Sequence, residues 1–295
     1  MNFHLLISRL YWSIIKKSKL QNNKKSYEYW LSKGYVNEPV ISFIIQSHNK
    51  SPQVLYIVDK LRKWPQSEII VIDDGSDIKH INVLSRHLCK ANEFLIRAND
   101  LYENIMYDRA IRFANASYLV LLQDDDDFDD LSWIENGLFY FSQYPQLAIL
   151  GGNNGLDFIL DEEQKYGIGV NVENNSRLPF CFVHHVDRAP MWLNKKLFEE
   201  KLKHIDFDFA PFQYDDCELC LRAWLNGLSV AWYNANFRSL SAGGMRIWNS
   251  SFTGTQCRRN AAKLYDLYKD KKELLDKLVK SANKEKNKYS GSLDL

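Results

Sequence analysis

The sequence predicts an α/β fold in which a mostly parallel sheet carries helices on both faces. Four short apolar runs lie between residues 41 and 122, and segments with helical spacing of apolar residues separate them. Alternation of strand and helix in this way indicates successive β-α-β units. Polar or acidic residues follow the first, second and fourth runs. In a parallel sheet those residues meet at one edge, beyond the carboxyl ends of the strands, where ligands bind.

The first two strands come from the most apolar part of this region. Residues 41–46 (ISFIIQ) form a nearly continuous apolar run, typical of a strand that is buried on both faces. Residues 54–61 then repeat apolar side chains at helical spacing. The second strand, 68–72 (EIIVI), runs directly into the polar turn at 73–76 (DDGS).

The later elements follow from the same patterns. They are strands at 93–97 (EFLIR), 118–122 (YLVLL) and 147–150, and helices at 106–113, 131–141 and 214–225. Residues 153–180 are polar and weakly patterned, so we expect a loop or small hairpins there.

Composition and charge restrict the possible partners. The chain has 295 residues, 45% of them hydrophobic and 25% charged, with a formal net charge of +1. This is ordinary globular composition, and it provides no overall positive field that would select nucleic acid. Basic residues collect at both ends, and residues 1–27 contain no Asp or Glu. We therefore predict a basic amphipathic helical extension over 1–40, a main domain over 41–253 and a basic helical tail over 254–295.

The N-terminal extension has two interpretations. Leu6, Ile7, Leu10 and Ile14 fall at helical spacing and form an apolar stripe. Such a helix packs on the main domain or lies on an anionic membrane surface. No apolar run reaches the about 18 residues that a membrane span needs. Five cysteines without a disulfide framework favour a reducing compartment. We expect a cytoplasmic protein, with peripheral contact at the inner membrane face as an option.

Four consecutive aspartates, Asp124 to Asp127, follow the fourth strand directly. Their mutual repulsion falls when a divalent cation lies among them, and Mg²⁺ and Mn²⁺ prefer carboxylate oxygen. A solvated acidic loop is the alternative, but the preceding strand places this run at the ligand-binding edge. Asp125 is the first candidate for a metal ligand, with Asp124 and Asp126 beside it. Asp127 and Asp129 suit the start of the following helix.

A second acidic pair, Asp215 and Asp216, lies at the predicted start of a helix. A helix cap and an acid that compensates the helix dipole would explain both aspartates. A carboxylate at a helix start beside a pocket would also serve as a general base for a hydroxyl. Spacing alone leaves both interpretations open. Glu218 and Arg222 are expected as an i, i+4 pair on the outer side of this helix.

Four segments, in order along the chain, resemble the family 2 glycosyltransferases. They are IIQSHN at 44–49, IIVIDDGS at 69–76, AIRFANASYLVLLQDDD at 110–126 and YDDCELCLRAWLNG at 214–227. The first resembles that family's nucleotide-binding turn and the second its second-strand signature. The third is similar to its metal-binding acidic motif, and the fourth to the motif that carries its catalytic base.

The resemblance implies a GT-A fold, which is a Rossmann-like sheet for nucleotide-diphospho-sugars, and inverting transfer of a hexosyl group. The implied donor is a nucleotide-diphosphate sugar, expected to be a UDP-sugar, with Mn²⁺ or Mg²⁺ as cofactor. The implied acceptor is a hydroxyl of a glycan or of a lipid-linked molecule, as in synthesis of a surface polysaccharide.

The same resemblance implies roles for individual residues. They are nucleotide binding for Gln46, His48, Asp74 and Asp124, metal binding for Asp125 and Asp126, the catalytic base for Asp216, and a place in the donor or acceptor pocket for Asp187 and Asp215. Many relatives also carry a late histidine near the sugar. Residues 237–244 contain none, so Arg238 or Arg246 is a candidate to face the diphosphate.

Two other functions fit parts of the pattern. A nucleotidyltransferase also combines a doubly wound sheet, acidic metal ligands and a nucleotide, but it usually has a glycine-rich phosphate loop near the first strand. Residues 46–50 (QSHNK) contain no glycine. A sugar-binding module without catalytic activity would use the same scaffold, although the intact acidic residues argue against it.

Overall fold

The structure is a computed structural model, and it describes residues 3–36, 38–172, 179–240 and 250–290. Its strands are β1 (Ile41–Ser47), β2 (Ser67–Asp74), β3 (Glu93–Ala98), β4 (Tyr118–Leu122), β5 (Asp126–Asp127), β6 (Leu147–Gly151), β7 (Gly155–Asp161), β8 (Tyr166–Asn171), β9 (Phe180–Phe182), β10 (His185–Val186), β11 (Met191–Asn194), β12 (Ser229–Tyr233) and β13 (Arg238–Ser239). Its helices are α1 (Phe3–Ser32), α2 (Ser51–Leu61), α3 (Ile78–His87), α4 (Tyr102–Phe113), α5 (Ser132–Gln143), α6 (Lys195–Leu197), α7 (Asp215–Leu225), α8 (Ser250–Tyr268) and α9 (Lys272–Ser290).

The central sheet has eight strands in the order β3-β2-β1-β4-β11-β6-β12-β9. β1 pairs in parallel with β2 and β4, and β2 pairs in parallel with β3. β11 runs antiparallel between β4 and β6, and β12 is parallel to β6. The predicted α/β fold with a mostly parallel sheet is therefore confirmed, and its first four strands lie where the apolar runs predict them.

The strand ends that carry the predicted motifs lie side by side. Every residue of β1 except Gln46 is buried, as its apolar sequence predicts for a central strand. In the register of the sheet, Ser47 of β1 lies opposite Asp73 of β2, and Ile45 lies opposite Leu122 of β4. The turn after β1, the DDGS turn and the acidic run therefore share one edge.

A three-stranded sheet, in the order β10-β7-β8, lies beside the main one. β7 and β8 form the small hairpin expected within residues 153–180, of which 173–178 lie outside the described residues. The sequence patterns missed β9 and β11, because runs of three or four residues are too short to reveal a period of two.

The predicted C-terminal tail is part of the main body. The boundary expected between residues 253 and 254 falls inside α8, so that prediction is wrong. Leu264 and Leu275 are completely buried, and Tyr268 of α8 and Val279 of α9 are nearly so. The lysines that suggested a tail lie on the outer sides of these helices, while their apolar stripes complete the core.

The N-terminal helix α1 leaves its apolar side chains exposed. Leu10, Trp12 and Ile14 are 58%, 58% and 69% exposed, so the structure does not support the interpretation in which this helix packs on the main domain. Leu5 and Trp12 fall on the opposite side of the helix from Leu10 and Ile14, so the apolar surface is wider than the predicted stripe. Among the described residues, no helix has both the length and the apolar character to cross a membrane.

Candidate active site

A cleft of about 1520 Å³ opens at the carboxyl edge of β1, β2 and β4. Seven of the nine predicted site residues line it, and these are Gln46, His48, Asp74, Asp124, Asp125, Asp187 and Asp216. The other two, Asp126 and Asp215, are buried behind the wall of the cleft. Segments that are far apart in the sequence therefore converge on one site.

His48 joins the turn after β1 to two neighbouring motifs. Its backbone N–H donates to Oδ2 of Asp124 at 2.9 Å, and its Nδ1 lies 2.7 Å from the carbonyl oxygen of Asp74. Lys50 Nζ lies 3.2 Å from the other oxygen of Asp124. Burial raises the pKa of Asp124, while the hydrogen bond from His48 and the charge of Lys50 oppose that shift. These contacts fix one wall of the cleft.

Asp74 organises the loop before α4. Its two carboxylate oxygens accept hydrogen bonds from the backbone N–H groups of Leu101 and Tyr102, both at 2.9 Å. Gly75 has a φ of +81°, and a Cβ there would lie 3.1 Å from Oδ1 of Asp100. Glycine at this position therefore suits both the backbone conformation and the close approach of the loop. Asp74 still lines the cleft while it holds this loop.

Asp125 and Asp126 have opposite surroundings. Asp125 lines the cleft, and its Oδ2 accepts a hydrogen bond from Ser239 Oγ at 2.6 Å. Asp126 turns inward, and its Oδ2 accepts from the backbone N–H of Gln123 at 2.9 Å. Burial raises the pKa of Asp126 well above its usual range, and the charge of Asp125 adds to that shift. The geometry therefore does not support the prediction of Asp126 as a metal ligand.

Asp127 forms ion pairs with Lys60 and Arg238 and does not lie at the start of a helix. Lys60 Nζ and Tyr56 Oη lie 2.9 and 3.0 Å from its Oδ1, and Arg238 Nε donates to its Oδ2 at 2.8 Å. These hydrogen bonds overcome the effect of burial and lower the pKa of Asp127 to about 2. The prediction that Asp127 and Asp129 open the next helix is wrong, because α5 begins at Ser132.

Arg238, a candidate to face the diphosphate, is not among the residues that line the cleft. It pairs with Asp127, and its Nη2 lies 2.6 Å from Oδ1 of Asp129. Asp127 and Asp129 therefore bind the arginine that was a candidate for binding a diphosphate. Arg246, the other candidate, lies outside the described residues.

Asp215 and Asp216 start α7 but point to different environments. Asp216 is half-buried, lines the cleft, and accepts a hydrogen bond from the N–H of Cys217 at 2.8 Å. Asp215 is completely buried, and Arg188 Nη2 donates to its Oδ1 at 2.7 Å. Burial raises the pKa of Asp215, and the charge of Arg188 opposes that shift. The structure thus separates a carboxylate of the cleft from one in a buried ion pair.

Arg188 is the site residue that the sequence analysis missed. Its side chain is only 4% exposed, lies 5.0 Å from the ring centroid of Tyr107, and approaches Glu103 at 3.6 Å. Tyr107 Oη donates to the carbonyl of Leu122, the last residue of β4. Arg188 therefore links the start of α7 to the end of β4. The sequence signal was its position next to the predicted pocket residue Asp187.

Glu218 and Arg222 differ from the exposed pair that was predicted. Glu218 is 3% exposed, and Arg222 Nε donates to it at 2.7 Å. Tyr268 Oη of α8 lies 3.2 Å from the same carboxylate oxygen. The C-terminal helices cover what would otherwise be the outer side of α7, so this part of the prediction is wrong.

Part of the cleft wall comes from the small sheet and from the residues next to its strands. Asn154 Nδ2 donates to Oδ2 of Asp187 at 3.2 Å, which holds that carboxylate at the cleft. His185 lies in the same wall, and burial lowers its pKa to about 3, so its ring is neutral at physiological pH. This wall presents amide and imidazole groups, which suit hydroxyl groups as hydrogen-bonding partners.

The donor set of the cleft fits a hard cation. Within the described ranges, no three His, Cys, Asp or Glu side chains form a ready-made metal site. Asp124 and Asp125 nevertheless present two carboxylates side by side at the cleft. Mg²⁺-type ions are commonly held by one or two carboxylates together with substrate phosphates, so two residues are enough.

Three solved structures resemble the fold of this chain. The mannosyltransferase PcManGT from Pyrobaculum calidifontis, in complex with GDP-Man and Mn²⁺, has a TM-score of 0.52 and 13% identity over 75% of this chain and 64% of its own. GalNAc-T7 with UDP, GalNAc and Mn²⁺ has a TM-score of 0.55 and 14% identity over 67% of this chain and 43% of its own. Staphylococcus aureus TarS with UDP-GlcNAc has a TM-score of 0.50 and 13% identity over 71% of this chain and 60% of its own.

These likenesses support the fold alone, because the identities are low. The chain spans less than two thirds of the length of each of these proteins. All three are GT-A glycosyltransferases, so the GT-A fold implied by the sequence motifs is confirmed. No curated protein matches the chain by sequence.

A sequence model of one family identifies the chain directly. The model described as "Glycosyl transferase family 2" matches residues 42–228. This range contains the carboxyl ends of β1, β2 and β4, which form one edge of the cleft, as well as Arg188 and the start of α7. Since the match covers well over half of the chain and the cleft contains the family's acidic motifs, the protein belongs to glycosyl transferase family 2.

Proposed function

We propose that this glycosyltransferase transfers a hexosyl group, with inversion, from a nucleotide-diphosphate sugar to an acceptor hydroxyl. The observation that carries the proposal is the convergence of Asp74, Asp125 and Asp216 on one cleft. UDP-sugars are the first donors to test, because two of the three similar structures contain UDP or UDP-GlcNAc. GDP-mannose, which the mannosyltransferase structure contains, is the second choice.

The nucleotide would lie along the turns after β1 and β2. Gln46, His48 and Asp74 line this part of the cleft, and Asp124 is fixed to the turn by the N–H of His48. Since Asp74 already accepts two backbone hydrogen bonds, its proposed role is both to shape the loop at residues 100–102 and to face the nucleoside. Lys50 provides a positive charge at the same wall.

Asp125, with Asp124 beside it, is the proposed binding site for Mn²⁺ or Mg²⁺. Ser239 orients the carboxylate of Asp125, and its neutral hydroxyl leaves the negative charge of that group in place. A divalent cation bound there would neutralise the charge that develops on the departing diphosphate.

Asp216 is the proposed general base. Its carboxylate would accept the proton of the acceptor hydroxyl while that oxygen bonds to the anomeric carbon of the donor. The bond between that carbon and the diphosphate oxygen breaks, and attack from the opposite face inverts the centre. Arg188 neutralises the neighbouring Asp215, so the like charge next to Asp216 is compensated. Asp187 is the proposed pocket residue for a sugar hydroxyl, and Asp215 supports the pocket from behind.

A donor screen tests this function. The protein is incubated with single nucleotide-sugars and Mn²⁺, and thermal stabilisation and release of the nucleoside diphosphate are measured. Stabilisation by one donor, with slow metal-dependent release of its nucleoside diphosphate, is the expected result. Release of pyrophosphate in a parallel incubation with a nucleoside triphosphate and a sugar phosphate would instead indicate a nucleotidyltransferase. Donor binding without any turnover would indicate a module that only binds sugars.

The acceptor is proposed to be a glycan or a lipid-linked molecule at the inner membrane face, used in surface polysaccharide synthesis. The support is α1, whose exposed Leu10 and Ile14 lie within a stretch of 27 residues that has no acidic residue. Such a helix suits anionic lipid.

Ile14→Glu should reduce co-sedimentation of the full chain with anionic vesicles. Ile78→Glu is the matched control, since Ile78 is exposed to 65% on α3. Equal binding by both variants would exclude α1 as the contact.

A further inference from the structure

The turn that leads into α7 has an uncommon backbone conformation. Gln213 and Tyr214 have φ angles of +76° and +64°. Residues other than glycine rarely adopt this region, at a cost of about 1 kcal/mol or more each, so surrounding contacts must hold them there. α7 begins at Asp215. The turn therefore determines where the carboxylate of Asp216 lies in the cleft.

Asn260 of α8 provides the contacts that hold this turn. Its side chain is completely buried, and the carbonyl oxygens of Phe209, Phe212 and Gln213 lie 2.9, 3.0 and 2.8 Å from Nδ2, so its two N–H hydrogens are shared among three acceptors. One amide group thus gathers three carbonyls from the loop before α7. Without it these buried carbonyls would lose a hydrogen-bonding partner, which is unfavourable unless the loop moves.

Neighbouring residues of α8 extend the same contact. Gln256 Nε2 donates to the carbonyl of Ala210 at 3.1 Å, and Lys263 Nζ lies 2.7 Å from a carboxylate oxygen of Asp208. The Lys263 pair is more exposed and therefore contributes less than the buried amides. Asn260 and Gln256 are the central part of the contact.

α8 also contacts β8 of the small sheet, whose residues Gly169 and Asn171 line the cleft. A Cβ at Gly167 of β8 would lie 2.9 Å from Cβ of Leu264, so glycine permits the close packing of this helix on the small sheet. The family match ends at residue 228, and α8 begins at Ser250. A helix outside the family's matched region therefore joins the loop before Asp216 to the wall that contains His185.

We propose that Asn260 is a positioning residue for Asp216, and that α8 is an integral part of the catalytic apparatus. The inference rests on the proposed function, since it takes Asp216 as the base. Asn260 itself lies outside the residues that line the cleft, so it acts through the turn at 213–214 and not on the substrate.

The test is Asn260→Ala in the full chain, with the donor identified by the screen. We expect kcat to fall by about 10- to 100-fold, because small displacements of a catalytic group have effects of this size. The KM and the Kd for the donor should stay within about twofold, since the proposed nucleotide contacts, at Gln46, His48 and Asp74, come from other segments of the chain. Arg258→Ala, on an exposed position of the same helix, should retain the wild-type kcat.

A variant that only loses stability should differ from Asn260→Ala in its kcat. Val279→Ala removes buried apolar volume from α9 without touching the turn, so it should lower Tm but leave kcat per folded molecule unchanged. If Asn260→Ala does not fold, Asn260→Leu replaces it, because leucine fills the space of the amide but has no hydrogen-bond donor. Wild-type kcat in a folded Asn260→Ala or Asn260→Leu variant would overturn the proposal.

A double variant separates the two proposals. If Asn260 acts through Asp216, Asn260→Ala should cause little further loss of turnover in an Asp216→Asn background. Losses that multiply would overturn the positioning role while leaving the base in place. Full turnover of Asp216→Asn alone would instead reject the proposed base, whatever Asn260→Ala does.

Discussion

The two acidic clusters of the cleft are held in different ways. The cluster after β4 is fixed by the backbone N–H groups of His48 and Gln123, which belong to the turns at the same sheet edge. The pair at the start of α7 is fixed by residues that are distant in the sequence. Arg188 donates to Asp215, and Asn260 donates to the carbonyl of Gln213 in the preceding loop. The first arrangement follows from strand ends that meet in one sheet, whereas the second depends on how the whole chain packs.

The two clusters share one feature. In each of them, a carboxylate that lines the cleft accepts a hydrogen bond from a neutral donor, and a neighbouring carboxylate pairs with a cationic side chain. Neutral donors hold Asp125 and Asp216, namely the hydroxyl of Ser239 and the N–H of Cys217. Charged side chains hold Asp127 and Asp215. A neutral donor orients a carboxylate without cancelling its charge, so Asp125 can attract a cation and Asp216 can accept a proton. The partners of the carboxylates therefore distinguish Asp125 from Asp127 and Asp216 from Asp215, although the residues of each pair lie close together in the sequence.

The largest expected effect is that of Asp216→Asn. The amide keeps the size of the side chain but cannot accept a proton, so kcat should fall by about 10³-fold. The Kd for the donor should stay within about twofold, as measured by titration calorimetry with Mn²⁺. Asp266→Asn, at an exposed position of α8, is the control and should be fully active. Retained turnover in Asp216→Asn would remove this residue from the role of base.

The next largest effect should come from Arg188→Met, and it should appear as a loss of stability. The substitution leaves the buried carboxylate of Asp215 without its cation, which typically costs about 3 kcal/mol or more. Urea unfolding measures this difference. Adding Asp215→Asn should restore part of the loss, because the uncompensated charge is gone. If Arg188→Met alone were as stable as the wild type, Arg188 would not support the start of α7.

The difference between the clusters also explains what the sequence can predict. Strands β1, β2 and β4 are short apolar runs that end in polar turns, and both signals are local. The convergence of Gln46, Asp74 and Asp124 follows, since the carboxyl ends of neighbouring parallel strands lie at one edge. The approximate site could therefore be predicted without coordinates.

The contacts that select individual carboxylates could not be predicted. Arg188 and Asp215 are 27 residues apart, and Asn260 lies 47 residues beyond Gln213. No periodic pattern reports a pair at such a distance. Likewise, the choice between Asp125 and Asp126 depends on the local turn in which the N–H of Asp126 donates to the carbonyl of Gln123. Four identical residues in a row carry no signal of that turn.

A third prediction tests the choice between Asp125 and Asp126. Asp125→Asn should weaken metal-dependent donor binding by at least about tenfold, since loss of even an indirect partner of a metal costs 10- to 100-fold. Asp126→Asn should change it by less than about twofold. The pKa of Asp126 is raised well above its usual range by burial, so a neutral amide of the same size is a close substitute.

Titration of the donor with and without EDTA measures both variants of the acidic run. Ser132→Ala, outside the cleft lining, controls for general effects near α5. Equal losses in the two aspartate variants would show that Asp126 also contacts the cation, and the distinction between the two carboxylates would then be wrong.

The smallest expected effect concerns Asp127, which the protein's own cations hold. Its pKa is lowered to about 2 by hydrogen bonds from Lys60, Arg238 and Tyr56, against about 3.9 in an unfolded chain. The folded state therefore binds this proton less tightly than the unfolded state does. Its contribution to stability is fully present above about pH 4 and is lost as the pH falls towards 2.

Asp127→Asn should lower the free energy of unfolding by about 1 kcal/mol at pH 7. The effect is smaller than the pKa shift alone would suggest, because solvent screens the charge of the half-exposed Arg238. The difference from the wild type should narrow between pH 4 and pH 3, as followed by urea unfolding. Asp129→Asn, which removes the exposed partner of the same arginine, should have a smaller effect. A difference that does not change with pH would mean that packing rather than charge holds Asp127. The contrast between aspartates held by charged donors and those held by neutral donors would then not extend to this residue.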